Sequence, residues 1–175
     1  MKKNIIICGL IGGTFLAVFM LASVAACYRN EDFEGNMWLG YASMILAFSL
    51  IFVGVKNFRD KFNEGFVSFG QAFKMGLFIS LIASSMYVIA WLIDYYVFIP
   101  DFMDKYGANV IREATREGAS ATEIAQKVSD VNQMKDMYQS PWMVVLITYA
   151  EVLPVGLIIS LISALILKRK PETLL

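Results

Sequence analysis

Three ionisable side chains, Glu151, Asp94 and Lys74, stand inside stretches of sequence that are otherwise apolar. A carboxyl group held in hydrocarbon can carry a proton, pair with a cation or bond to a neighbouring helix, and such groups often mark ion or proton paths. Histidine, the commonest general base and metal ligand, does not occur in the sequence. Glu151 is the tenth residue of the apolar run 142–167, close to its middle, where a charge costs at least about 2.5–3.5 kcal/mol. Three residues on, Pro154 leaves the carbonyl of Ala150 without its helical donor. Thr148 and Tyr149 are the adjacent polar groups. Two readings of Glu151 stand together: a protonated acid bonded inside a bundle, or part of an ion or proton path.

Asp94 follows Gly76 by five helical turns, and Ser80, Ala83 and Tyr87 fall within about 40° of the same line. The acid therefore shares the small-residue face of its helix, the face suited to meeting another helix. Trp91, Tyr95 and Tyr96 surround it near the end of the run, so it reads either as an interfacial anchor or as a functional acid. Lys74 lies well off that line, within reach of a membrane interface by snorkelling, with a lipid-phosphate or substrate contact as the other reading. On the last run Gly156, Ser160 and Ala164 form a second small-residue line, roughly opposite Glu151. Gly76, Ser80, Gly156 and Ser160 are the expected helix-packing positions, and two protein-seeking faces on one helix argue for a homo-oligomer.

Nothing else offers a site. Ser84 and Ser85 have no histidine or second lysine to activate them. There is no phosphate-cradling loop, metal-ligand cluster or nucleophile elbow. No catalytic residue, cofactor or metal is expected, and the chain reads as non-enzymatic. Its formal net charge is zero, so no global field draws in nucleic acid. Cys8 and Cys27 are roughly 28 Å apart along one helix and cannot bridge each other.

The elements that must carry these residues are helices. Of 175 residues 58% are hydrophobic and 17% charged, against about 25% charged in soluble domains. The apolar excess falls in four blocks, 4–27, 37–55, 72–99 and 142–167, each near or above the roughly 20 residues that cross a bilayer. Met1-Lys2-Lys3 ahead of the first block, with Val24-Ala25-Ala26-Cys27 at its end, also fits a secretory signal ending at a lipidated cysteine. The stripe Gly9, Gly13, Ala17 instead suits a retained, packed helix. Between the third and fourth blocks, 101–140 reads as a helical hairpin broken at Gly118. Ser120-Ala121-Thr122-Glu123 forms a capping box, and Ile124, Val128, Val131, Met134 and Tyr138 make one apolar stripe. That stripe needs cover from the hairpin itself, the membrane rim or another subunit. The expected architecture is all-α: one domain, 1–175, a four-helix transmembrane bundle with an extramembrane hairpin between helices 3 and 4.

Four crossings put both termini and the 56–64 loop on one side, with nine basic residues against three acids. The other side has six basic residues against ten acids. By the positive-inside rule the first side is cytoplasmic and the hairpin external.

The segment Gly65-Phe66-Val67-Ser68-Phe69-Gly70-Gln71-Ala72-Phe73-Lys74-Met75-Gly76, together with Glu151-Val152-Leu153-Pro154-Val155-Gly156 and its continuation to Ala164, resembles the DUF4199 family of small bacterial membrane proteins, whose function is not established. The resemblance runs the length of the chain. It implies four spans in a bacterial inner membrane, argues against cleavage at Cys27 and brings no catalytic residues. The functional expectation is an accessory or scaffold module in the lipid bilayer, docking other membrane proteins or a second copy of itself. The alternative is a small transporter or proton-linked channel subunit using Glu151 and Asp94.

Overall fold

The computed structural model describes residues 1–29 and 37–169. Most of the loop expected at 28–36, and Lys170 and Glu172 of the tail, lie outside them. Six helices follow in order: α1 (Lys2–Arg29), α2 (Met37–Phe62), α3 (Phe69–Ile93), α4 (Phe102–Arg116), α5 (Ala121–Tyr138) and α6 (Pro141–Leu167). A π-helical turn, Asp94–Phe98, extends α3 to a 30-residue rod. Four of these helices, α1, α2, extended α3 and α6, are long and apolar enough to cross a membrane. Their outward residues include Val18, Leu46, Ile158 and Ile166, each more than half exposed. Soluble monomers rarely expose contiguous apolar surface of this kind. The chain is a membrane protein.

Local chemistry explains where the helices start and stop. After α2 the backbone turns through left-handed Glu64 (φ 52°) and Gly65 (φ 81°), a conformation glycine adopts without penalty. The Asn63 side-chain amide donates to the Phe66 carbonyl (2.5 Å) and steadies the reversal. Val67 and Arg169 then exchange two backbone hydrogen bonds (3.1 and 2.9 Å), clasping the α2–α3 turn to the end of α6. Ser68 caps α3 in a reciprocal capping box with Gln71. The glycine-aromatic-serine motif is thus a turn, a clasp and a cap in succession.

At the far end of α3 the Ile99 amide bonds to the Asp94 carbonyl (2.9 Å), which closes the wide turn just before Pro100. α4 ends at left-handed Gly118 (φ 79°). Ser120 and Glu123 form the expected capping box at the start of α5.

In the bundle α3 packs along α1 on one side and α6 on the other, while α2 contacts α1, α3 and α6. Leu16, Phe48, Ile51, Val55, Met75 and Ile79 fill its centre and the half nearer the termini. The other half closes with a second cluster that includes Met20, Trp91, Tyr95, Met103 and Val144. Gly9 and Gly13 of the expected stripe are buried against Ile82 and Met86 of α3, whereas Ala17 is only half-buried. Gly12 joins them instead, facing α2 at Ala47.

α4 and α5 pack on each other. Val131 closes over Gly107, and Lys135 pairs with Asp104. The rest of the α5 stripe, Ile124, Val128, Met134 and Tyr138, is only half covered.

Candidate functional site

The four small residues expected at helix contacts meet in one crossing. Gly76 and Ser80 on α3 face Gly156 and Ser160 on α6, antiparallel and reciprocal. A Cβ on Gly76 would lie 2.6 Å from Ser160 Oγ, and a Cβ on Gly156 would lie 2.6 Å from Ser80 Oγ. Each serine hydroxyl thus sits over the opposing glycine. The two hydroxyls are 3.2 Å apart, and each also bonds to the carbonyl one turn back, Gly76 (2.9 Å) and Gly156 (2.7 Å). No polar atom is stranded, and dispersion contact is maximal where a lipid-immersed bundle depends on it. The Gly156–Ser160–Ala164 face is buried inside its own bundle, so this stripe by itself does not call for a second copy.

Lys74 is exposed on α3, off the packed line as its angle predicts.

Asp94 is buried at the start of the π-helical turn, 8% exposed, with Oδ2 lacking any hydrogen-bond partner. Around it the end of α1 is tied to the start of α4. The Tyr28 hydroxyl donates to Asp101 (2.8 Å), Lys105 pairs with Asp101 (3.0 Å), and the Lys105 ammonium lies 4.0 Å above the Tyr28 ring. Hydrogen bonds from Lys105 and then Tyr28 hold the Asp101 carboxyl below the usual aspartate range. Trp91 meets Tyr95 and Phe102, and Tyr95 meets Tyr138 edge-on. The interfacial-anchor reading of Asp94 accounts for this aromatic shell but not for the bare oxygen.

Glu151 opens onto a cleft of about 250 Å³ in the half of the bundle nearer the hairpin, lined from all four spans. α1 contributes Phe19, Met20 and Ser23, α2 contributes Gly40, Tyr41 and Ser43, and α3 contributes Tyr87. The neighbours expected to satisfy the acid do not. Thr148 donates to the Val144 carbonyl (2.7 Å), and the Tyr149 hydroxyl is 2.6 Å from that of Ser85. Among the described residues Glu151 has no ion-pair partner. Burial pushes the hydroxyl of Tyr138 up to about 12, against a hydrogen bond from Trp91. Glu151 is exposed to the cleft.

Sequence reasoning missed most of this lining. Tyr87 appeared only as a point on a helical line, and Ser23, Gly40 and Ser43 not at all. Gly40 stands in the first turn of α2, and a Cβ added there would meet nothing within 4 Å.

The described residues contain no group of three His, Cys, Asp or Glu side chains able to hold a metal. A family model described as "Protein of unknown function (DUF4199)" matches residues 7–169. No curated protein and no solved structure matches the chain.

Proposed function

The chain belongs to the DUF4199 family, whose function is unknown, and from that premise we propose a non-enzymatic, multi-pass membrane protein that works as a binding module through its Glu151 cleft. The observation that carries this reading is Glu151, exposed at mid-span and without an ion-pair partner among the described residues, on a cavity that all four spans line. A structural acid at that depth would be paired or bonded to a neighbouring helix. One kept open to a cavity is placed for something that arrives from outside the chain. This is the recognition element of a small transporter or proton-linked channel subunit.

The charge balance supports a bacterial inner-membrane setting with both termini cytoplasmic and the α4–α5 hairpin external. Trp38 and Trp142, both exposed, stand at the hairpin ends of their spans, where an interfacial belt belongs. A reporter fused after residue 169 is expected to be active only as a cytoplasmic fusion, and one inserted at Gly118 only as an external one.

The half-covered α5 stripe favours a second reading, a scaffold that docks a membrane partner through the hairpin. Reconstituted vesicles separate the two. A pH-dependent flux that Glu151→Gln abolishes supports the cleft reading. If Glu151→Gln leaves flux and phenotype unchanged while Val128→Asp abolishes complex formation, the scaffold reading stands instead.

A further inference from the structure

The geometry points to a small organic ammonium ion as the ligand of the Glu151 cleft: one positive charge on an apolar body, held by the carboxylate and the aromatic walls. The inference rests on the reading of the cleft as a binding site and adds the chemical class of what binds.

Charge comes first. Glu151 is the only ionisable acid or base that lines the cavity among the described residues, since Tyr41 and Tyr87 are phenols and the remaining lining is neutral. Among the described residues its charge has no counter-ion in the lining, so the site disfavours an anion. Hydrogen-bond polarity agrees. Ser43, on the cleft wall, spends its proton on the Gly40 carbonyl (2.6 Å), so it presents lone pairs to a visitor. The site is rich in acceptors.

Next is the body of the ligand. Phe19, Tyr41 and Tyr87 supply aromatic rings, and Met20, Met37 and Met44 supply polarisable sulfur. A cation is attracted to aromatic rings, and thioethers adapt to irregular shapes. A hard inorganic cation asks for six or more oxygens in a shell, and one carboxylate among apolar walls does not provide it. An organic ammonium uses both halves of the lining.

Finally comes the space itself. Gly40, in the first turn of α2, has neither a left-handed backbone nor, within 4 Å, an atom that an added Cβ would meet. It lines the cleft, so a large side chain there would narrow the cavity.

The test uses the full chain purified in a neutral detergent, with benzyltrimethylammonium as the probe and neopentylbenzene, its uncharged carbon isostere, as the control. Binding is read by calorimetry and by the shift in unfolding temperature. The wild-type chain is expected to bind the cation saturably and at least tenfold more tightly than the isostere. Glu151→Gln is expected to erase that preference, and Glu151→Asp to weaken it while keeping its sign. Gly40→Phe, which leaves the acid in place, is expected to abolish binding of both. A wild-type chain that takes the isostere as tightly as the cation overturns the charge assignment and leaves the cleft a binding site. A folded chain that takes neither overturns the assignment and the binding-module reading together.

Discussion

Replacing Gly156 by alanine probes the crossing on which the bundle depends. The new Cβ would lie 2.6 Å from Ser80 Oγ, 2.8 Å from Ser80 Cβ and 2.9 Å from a ring carbon of Phe48. Ser80 Cβ is fixed to the α3 backbone and Phe48 is fully buried, so rotamer changes cannot clear the overlap and the helices must separate. Overpacking of this kind costs about 1–3 kcal/mol, while alanine returns about 0.5–1 kcal/mol of helix propensity. The net loss is roughly 1–2 kcal/mol, a five- to thirtyfold rise in the unfolding constant. Unfolding in mixed micelles with rising SDS, followed by far-ultraviolet circular dichroism, measures it. Gly40→Ala is the matched control: with nothing within 4 Å of the added carbon, it should gain up to about 1 kcal/mol. Adding Ser80→Gly to Gly156→Ala removes two of the three close contacts, leaving the Phe48 ring carbon, and should restore part of the loss. If Gly156→Ala proves as stable as Gly40→Ala, or Ser80→Gly fails to rescue it, the reciprocal notch is not what holds α3 to α6.

The hairpin gives three further expectations. Ser120→Ala removes the α5 cap (Ser120 Oγ accepts from the Glu123 amide, 3.3 Å) and should cost about 1 kcal/mol, read as faster amide exchange in the first turn of α5. Bonds from the Ser120 backbone and hydroxyl hold the Glu123 carboxyl below its ordinary value of 4.5. Its contribution is thus complete above that pH and disappears as pH falls through the lower folded value. The start of α5 should fray on acidification, and Glu123→Gln, which cannot titrate, should remove the pH dependence without removing the helix. Tyr28→Phe deletes one of the side-chain bonds that depress Asp101. The Asp101 carboxyl should then titrate closer to its ordinary 3.8, measurable by carbon-13 chemical shift, and α4 should exchange faster at its first turn.

What could be read from the sequence followed from period and end chemistry. Uninterrupted apolar length located α1, α2, α3 and α6. Gly118 and the Ser120–Glu123 spacing placed the hairpin turn and the α5 cap where the structure has them. Angle counting put Gly76 and Ser80 on one face and Gly156 and Ser160 on another. It could not bring the two faces together, because pairing depends on helix order around the bundle, which no single-helix wheel encodes. The same gap turned the α6 stripe into an argument for a second copy, when α3 of the same chain fills it. The Ser68–Gln71 box and the Val67–Arg169 clasp explain the motif that was the most specific in the sequence, but the clasp joins residues a hundred positions apart.

The cleft was harder to foresee, for a physical reason: its walls are residues that individually look like ordinary lipid-facing or core side chains. Only their absence from one another's contacts makes a cavity. Glu151 is the residue whose type does not fit that background. It stands exposed on the cleft, without an ion-pair partner among the described residues, and a charge at mid-span is costly. A ligand that brings a positive charge accounts for the acid and the cavity together, whereas a purely structural account needs a separate reason for each.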